Sequence, residues 1–196
     1  RSIDKITEAD LDEAVRLINE SEKPYIFVGG GAVISNAEEA LDEFVSKVQA
    51  PVTDSLMGKG AYDGRKPLYT GMLGMHGTKA SNYGVSECDL LIAIGVRFSD
   101  RVTGNAKKFA DNAKILQIDI DPAEINKNIQ TDASLIGDVR EVLRLLNSRL
   151  KQQNHDAWIE KIMDYKKTYP MRFPAEGLSG PYLVDAIYKK TVNSPS

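Results

Sequence analysis

The sequence has little of several features that define special classes of protein. Its 196 residues contain one cysteine, Cys88, so no internal disulfide can form. Its longest apolar runs, such as residues 90–96, are far shorter than the roughly 18 residues that a membrane-spanning helix needs. The 25 basic and 28 acidic residues give a net charge of -3, without the basic excess that nucleic-acid binding requires. These absences predict a soluble globular protein that binds neither nucleic acid nor membranes.

Histidine and cysteine, which often carry catalysis or bind metals, are also scarce. The two histidines, His76 and His155, have no cysteine or carboxylate at metal-ligand spacing, so we expect no metal site. No combination of Ser, His and Asp, or of Cys and His, indicates a nucleophile, and Cys88 is interpreted as a core or surface thiol. We therefore expect a binding function, with no catalytic residue. The N-terminus has no apolar signal segment, which favours a cytoplasmic protein.

The sequence does contain an alternation of apolar strands and amphipathic helices. Strands are predicted at residues 25–28, 51–55, 90–94, 114–120 and 134–136, and helices at 8–20, from an N-cap at Asn36 to Val48, at 78–87 and at 139–150. The strands lack polar alternation, which is typical of strands buried on both faces of a parallel sheet. We predict an α/β fold, a doubly wound parallel sheet of five to six strands.

The chain divides into two predicted regions. Residues 1–150 hold the alternating strands and helices and are predicted to form one nucleotide-binding α/β domain. Residues 151–196 begin with an amphipathic helix through Trp158 and Tyr165, and a segment rich in proline and glycine follows. We interpret this second region as a linker helix and the start of a further domain.

Candidate binding residues follow the predicted strands, because ligands of open parallel sheets bind at the carboxyl ends of the strands. Three glycines at 29–31 either bring the main chain close to a phosphate or only form a tight turn, since Ile34 breaks the G-x-G-x-x-G pattern. Residues 55–57 either flank a flat ring or shape a loop. The predicted loop at 69–77 holds glycines, methionines and His76, so it is either a buried structural loop or a surface for an aromatic ligand.

Charged residues follow the later strands. Arg97 and Arg101 either clamp a pyrophosphate or form surface salt bridges. Asp119 is predicted to accept hydrogen bonds from a ribose, and Asp121 and Asp138 either do the same or cap helices. Glycines, arginines and acidic residues at one edge of a sheet together indicate a site for an adenine dinucleotide.

Three segments resemble the central domain of acetohydroxyacid synthase (acetolactate synthase) large subunits, which are thiamine diphosphate enzymes. They are GMLGMHG at 71–77, VRFSDRVTG at 96–104 and IDIDPAEI at 118–125, and the resemblance covers residues 8–150. It implies a six-stranded parallel sheet that binds FAD in an extended form. In that family the FAD is chiefly structural and takes no net part in the reaction.

The resemblance also implies which residues contact FAD. The diphosphate and ribityl region would meet Gly29, Gly30 and Gly31. The isoalloxazine side would meet Ser55, Leu56 and Met57, with a second loop formed by Leu73, Gly74, Met75 and His76. The phosphates and ring would be held by Gly95, Val96, Arg97 and Arg101, and the adenosine would be bracketed by Asp119, Ile120, Asp138 and Val139. Ser99 stands where many family members have aspartate, which puts one polar contact in doubt.

The implied parent enzyme condenses two pyruvates, or pyruvate and 2-oxobutanoate, to acetohydroxyacids in branched-chain amino acid biosynthesis. Its thiamine diphosphate and Mg²⁺ would bind outside this chain, which lacks the family's Gly-Asp-Gly triplet. The implied partners are the remaining domains of the large subunit, a second large subunit in a homodimer and a regulatory small subunit. The chain alone would be a catalytically inert fragment that binds FAD.

Two alternatives remain open at the level of sequence. The chain is the central domain of another thiamine diphosphate enzyme, such as a pyruvate oxidase-like protein or a carboligase, although these lack the string at residues 71–77. Alternatively, it is a free-standing nucleotide-binding module.

Overall fold

The computed structural model describes residues 5–98, 112–127 and 129–170. The elements in chain order are α1 (Glu8–Glu20), β1 (Pro24–Val28), α2 (Gly30–Ile34), α3 (Glu38–Val48), β2 (Val52–Asp54), β3 (Tyr69–Met72), α4 (Lys79–Glu87), β4 (Leu90–Ile94), β5 (Lys114–Asp119), β6 (Ala133–Ile136), α5 (Val139–Arg149) and α6 (Asp156–Thr168). Two short 3-10 turns, Leu56–Gly58 and Pro122–Glu124, follow β2 and β5. The predicted α/β class is confirmed.

The six strands form one parallel sheet in the order β3-β2-β1-β4-β5-β6. The chain builds outward from β1 in one direction and then, from β4, in the other. The order therefore reverses between β1 and β4, and this switch point is where doubly wound sheets generally bind their ligands. The predicted doubly wound sheet is confirmed, with six strands.

Two local predictions are wrong. The segment at 69–77 begins as the strand β3 and is a loop only from Leu73 onward. Asn36 is not the N-cap of α3, because the cap is Ala37, and Asn36 has a left-handed backbone with φ of 52°. The short helix α2 leads directly into this turn. Asparagine is favoured both at helix caps and in left-handed turns, so the sequence did not distinguish these two roles.

Helix ends elsewhere follow the sequence signals. Thr7 and Asp10 form a reciprocal capping box at the start of α1, with hydrogen bonds of 3.0 and 3.1 Å between each side chain and the other residue's main chain. Thr78 caps α4 by accepting the Ser81 amide. Cys88 ends that helix and is a buried core thiol, one of the two interpretations of it.

Apolar side chains fill both faces of the sheet. The larger cluster lies between the sheet and helices α1, α3 and α5, where Leu41, Phe44 and Leu143 are fully buried. The second cluster includes Tyr25 and Leu91 and is covered by α4 and α6. Strands β1 and β4 are buried along their whole length because both faces are covered.

Helix α6 is joined to this second face by specific contacts. Trp158 is 4% exposed, its indole N–H donates to the Pro24 carbonyl at 2.8 Å, and its ring meets Tyr25 edge-on with 6.4 Å between centroids. Before the helix, both ring nitrogens of His155 lie within hydrogen-bond distance of main-chain carbonyls, including that of Ser21 at 3.0 Å. The helix lies beyond the predicted division at residue 150, yet Trp158 and Ile162 are buried in the domain core.

Among the helices that the structure describes, none is long and apolar enough to cross a membrane.

Candidate functional site

Parallel topology brings the carboxyl ends of all six strands to one edge of the sheet. Five spacings of about 4.8 Å separate β3 from β6, so the loops at the two ends lie about 24 Å apart. The loops continue the strand pairing, since the Gly29 amide donates to the Ile94 carbonyl at 2.9 Å and the Gly95 amide to Ile118 at 2.8 Å. A ligand that touches the loops at both ends must therefore be extended.

The glycines at the switch point have different roles. A Cβ on Gly29 would lie 2.4 Å from the Gly95 oxygen, and one on Gly31 would lie 2.8 Å from the Gly95 Cα. Gly95 itself has φ of 60°, a conformation that favours glycine. Close contact between main chains thus explains Gly29, Gly31 and Gly95, as the tight-turn interpretation requires. Gly30 is different, because a Cβ there would meet only Met57, at 3.2 Å and beyond.

Exposed apolar side chains are concentrated at this edge. The exposed fraction is 67% for Leu56, 75% for Met57, 83% for Met75 and 50% for Ile120. These are four of the seven large hydrophobic residues that are exposed within the described part of the chain. Exposed apolar side chains concentrated at one edge of a sheet mark a surface that binds a ligand or a partner.

The loop at 73–77 is well anchored although its tip is exposed. Leu73 is buried, whereas Met75 and His76 face solvent, so the interpretation of a buried structural loop is wrong for these two residues. The Asn82 side chain holds the loop from α4, accepting the Gly74 amide at 3.1 Å and donating to the Gly74 carbonyl at 2.8 Å. Asn82 was not predicted from the sequence.

Arg97 lies between two buried residues in the segment that follows β4. Val96 and Phe98 are buried in the second cluster, and the alternation between them leaves Arg97 exposed. Its guanidinium makes no ion pair with any residue in the described ranges, so the salt-bridge interpretation finds no support there. The predicted contacts of Arg101 and Ser99 lie outside the described residues.

The acidic residues after β5 and β6 are mostly helix caps. Asp121 accepts the Ala123 amide at 2.9 Å, and Asp138 caps α5 by accepting the Glu141 amide at 3.2 Å. Val139, the first residue of α5, is buried. Asp119 is buried too, and burial raises the pKa of its carboxyl while a hydrogen bond from the Asp121 amide at 2.9 Å opposes that rise. Asp119 thus caps no helix, unlike Asp121 and Asp138.

A buried acid at the end of β2 was not predicted from the sequence. Asp54 is 3% exposed, and the Tyr69 hydroxyl donates to both of its carboxylate oxygens at 3.0 Å. Burial raises the pKa of Asp54 to about 6, although the phenol and the nearby Lys59 lower it. Both side chains line a cavity of about 740 Å³ beside α3. The signal in the sequence that could have indicated it is a carboxylate at the end of a predicted buried strand, directly before Ser55.

No group of three or more His, Cys, Asp or Glu side chains arranged to hold a metal ion occurs within residues 5–98, 112–127 and 129–170.

Comparison with known proteins gives consistent similarities. The family described as "Thiamine pyrophosphate enzyme, central domain" matches residues 11–146. The chain is 46% identical to an acetolactate synthase large subunit of Cyanidium caldarium over 171 residues, which cover 84% of this chain and 29% of that protein. It is 51% identical to a probable acetolactate synthase large subunit of Methanocaldococcus jannaschii over 160 residues, covering 80% of this chain and 27% of that protein. The chain therefore spans less than a third of these relatives.

Proposed function

Because this chain belongs to the family of thiamine pyrophosphate enzyme central domains, we propose that it is the FAD-binding central domain of an acetolactate synthase large subunit. The observation that carries the proposal is the combination at one sheet edge of exposed apolar side chains, an open glycine and an exposed arginine. A flavin ring is flat and largely apolar, whereas a diphosphate is anionic. The edge offers a matching surface for each.

The residues present fit the two ends and the middle of FAD. Leu56, Met57 and Met75 would contact the ring, and their flexible or branched side chains suit a flat aromatic surface. Gly30 and Arg97 would meet the diphosphate, through the main chain and through a charge-assisted hydrogen bond. Ile120 and Asp119 would lie against the adenosine. When bound, the flavin would have the chiefly structural role that it has in this family.

The remaining predicted contacts are restricted by burial. Leu73, Val96 and Val139 are buried, so each would reach FAD only through its main chain. Asp138 uses Oδ1 to cap α5, which leaves its other carboxylate oxygen for a ribose hydroxyl. Gly29, Gly31 and Gly95 would act indirectly, because their close packing shapes the turn that presents Gly30.

The activity of the whole protein is part of the proposal. The parent would condense two pyruvates, or pyruvate with 2-oxobutanoate, using thiamine diphosphate and Mg²⁺ held by other parts of a cytoplasmic large subunit. Those other parts, a second large subunit and a regulatory small subunit are the proposed partners. The chain alone would bind flavin and form no product, because the groups that must surround the thiamine ring are not among its residues.

Arg97→Ala is expected to weaken FAD binding by about 10- to 150-fold, which is the loss of one charged hydrogen bond worth about 1.5 to 3 kcal/mol. Titration of FAD with the protein, followed by quenching of flavin fluorescence, measures the change. Arg65→Ala is the matched control, because Arg65 is also exposed but forms an ion pair with Asp63 away from the proposed contacts. Equal affinities for Arg97→Ala and the unaltered chain would remove Arg97 from the site.

A further inference from the structure

The pair formed by Asp54 and Tyr69 connects two strands at the edge of the sheet. Strand β3 is one of the two outermost strands of the sheet, so it forms main-chain hydrogen bonds with β2 alone. Its pairing with β2 is irregular: Val52 is opposite Tyr69 and Asp54 is opposite Met72, so two residues of β3 face the single residue between them in β2. Gly71 lies in this bulge with φ of 100°. The hydrogen bond from the Tyr69 hydroxyl to the Asp54 carboxylate spans the bulge and ties its two ends together.

Both loops that would face the flavin ring start from Asp54 or its partner strand. The Asp54 carbonyl accepts the Leu73 amide at 3.0 Å, which fixes the first residue of the loop that carries Met75. The next residue after Asp54 is Ser55, whose hydroxyl caps the 3-10 turn that carries Leu56 and Met57. A change in the position of Asp54 or of β3 is therefore transmitted to both loops.

Charged and titratable groups line the same cavity as the Asp54 carboxylate. Helix α3 contributes Glu38, Glu39 and Asp42, the connection between β2 and β3 contributes Lys59, Asp63 and Lys66, and β3 contributes Tyr69. Lys66 pairs with Asp42, and Arg65 pairs with Asp63. Within this set, Asp54 is the deeply buried carboxylate, and its pKa of about 6 lies near neutral pH. The pKa of Asp63 is lowered to about 2 by its hydrogen bonds to Arg65, so Asp63 stays ionised under the same conditions.

We propose that Asp54 and Tyr69 are positioning residues for the flavin: the ionised Asp54 carboxylate accepts the Tyr69 hydroxyl and holds β3 and both adjoining loops in the arrangement that binds FAD, and protonation of Asp54 loosens that arrangement. This inference rests on the proposed FAD site. A charge-assisted hydrogen bond is roughly twice as strong as a neutral one, so protonation weakens the link without removing it. FAD affinity therefore depends on the charge of Asp54.

The stability of the fold changes in the opposite direction. The pKa of Asp54 is raised in the folded chain, so the folded state binds this proton more tightly than the unfolded state does. The contribution of Asp54 to stability is then fully present below the unfolded pKa of about 4 and is lost as the pH rises through about 6. Asp54→Asn removes the buried charge and is expected to fold at least as stably as the unaltered chain at pH 7.5.

The test is a set of FAD titrations at pH 5.0, 6.0 and 7.5 on the unaltered chain, Asp54→Asn, Tyr69→Phe and Asp63→Asn. From pH 7.5 to 5.0 the unaltered chain and the Asp63→Asn control are expected to lose about three- to tenfold more affinity than Asp54→Asn does. Tyr69→Phe is expected to bind more weakly than the unaltered chain at pH 7.5. Any pH dependence of affinity that all four proteins share is assigned to ionisation of FAD and of groups other than Asp54.

Hydrogen exchange of the main-chain amides at 70–77 in flavin-free protein gives a second readout. Lower protection in Asp54→Asn and Tyr69→Phe than in Asp63→Asn at pH 7.5 supports the positioning role, whether or not FAD binds. Parallel affinity profiles in all four proteins, or unchanged protection in both variants, would overturn it and leave the proposed function intact. Absence of FAD binding by the unaltered chain at every pH would instead overturn the proposed function.

Discussion

Gly29→Ala is expected to destabilise the folded chain by about 3 kcal/mol, whereas Gly30→Ala changes the free energy of unfolding by less than about 1 kcal/mol. A methyl group added at Gly29 would lie 2.4 Å from the Gly95 oxygen and 2.7 Å from the Val96 Cα, so two main-chain segments would have to separate. A methyl group added at Gly30 would meet only Met57. Denaturant unfolding of both variants beside the unaltered chain measures the difference.

The same two variants separate folding from FAD binding. The Gly30→Ala substitution places a methyl group on the main chain that is proposed to approach the diphosphate, so FAD affinity is expected to fall about tenfold, which corresponds to about 1.4 kcal/mol. The fold of this variant stays intact, so the loss cannot be attributed to unfolding. A Gly30→Ala protein that binds FAD like the unaltered chain would show that the turn does not contact the cofactor. A Gly29→Ala protein of normal stability would contradict the packing at the switch point.

Trp158→Ala is expected to destabilise the chain by about 3 to 5 kcal/mol, the usual cost of removing a large aromatic side chain from a core. The indole is almost fully buried against Tyr25, and its N–H donates a hydrogen bond to the Pro24 carbonyl at the start of β1. The midpoint of thermal unfolding should fall by about 2 to 4 °C for each kcal/mol. This result would assign α6 to the core of the α/β domain.

Trp158→Phe is the matched control for that experiment. Phenylalanine keeps most of the buried ring but loses the hydrogen bond to Pro24, so a cost of about 1 to 2 kcal/mol is expected from the missing bond and the smaller ring. If Trp158→Ala and Trp158→Phe both unfolded at the same temperature as the unaltered chain, the packing of α6 on the sheet would be contradicted.

Strong local signals made much of the fold predictable. The runs at 25–28 and 90–94 are apolar throughout and are each followed by glycine, and Thr7 and Thr78 stand at helix starts as caps. Strand β3 was not predictable in the same way, because it is four residues long and contains Gly71, whose left-handed backbone and bulge depend on pairing with β2. The strand conformation of β3 therefore depends on its pairing with β2 and is not encoded by its own four residues.

The location of the site followed from topology, whereas the roles of single residues did not. Every candidate within the described ranges lies at the carboxyl edge, as the strand order requires. The sequence could not show that Gly29 packs against Gly95 while Gly30 stays open, since this depends on the main chain of β4. It offered the helix-cap role of Asp138 only as one of two alternatives, and it could not show that the Asp54 carboxylate accepts a hydrogen bond from Tyr69 across a bulge. Such distinctions arise from contacts between segments far apart in the chain.

The measurement that tests the central proposal most directly is titration of FAD with the purified chain, followed by flavin fluorescence, with an acetolactate assay on the same sample. The assay contains pyruvate, thiamine diphosphate and Mg²⁺. The proposal predicts saturable quenching of flavin fluorescence and no acetolactate above a control without protein, because misplacing reacting groups by about 1 Å already costs about a hundredfold in rate. Unquenched flavin at saturating protein would contradict the FAD site, and acetolactate formed by this chain would contradict its proposed inertness.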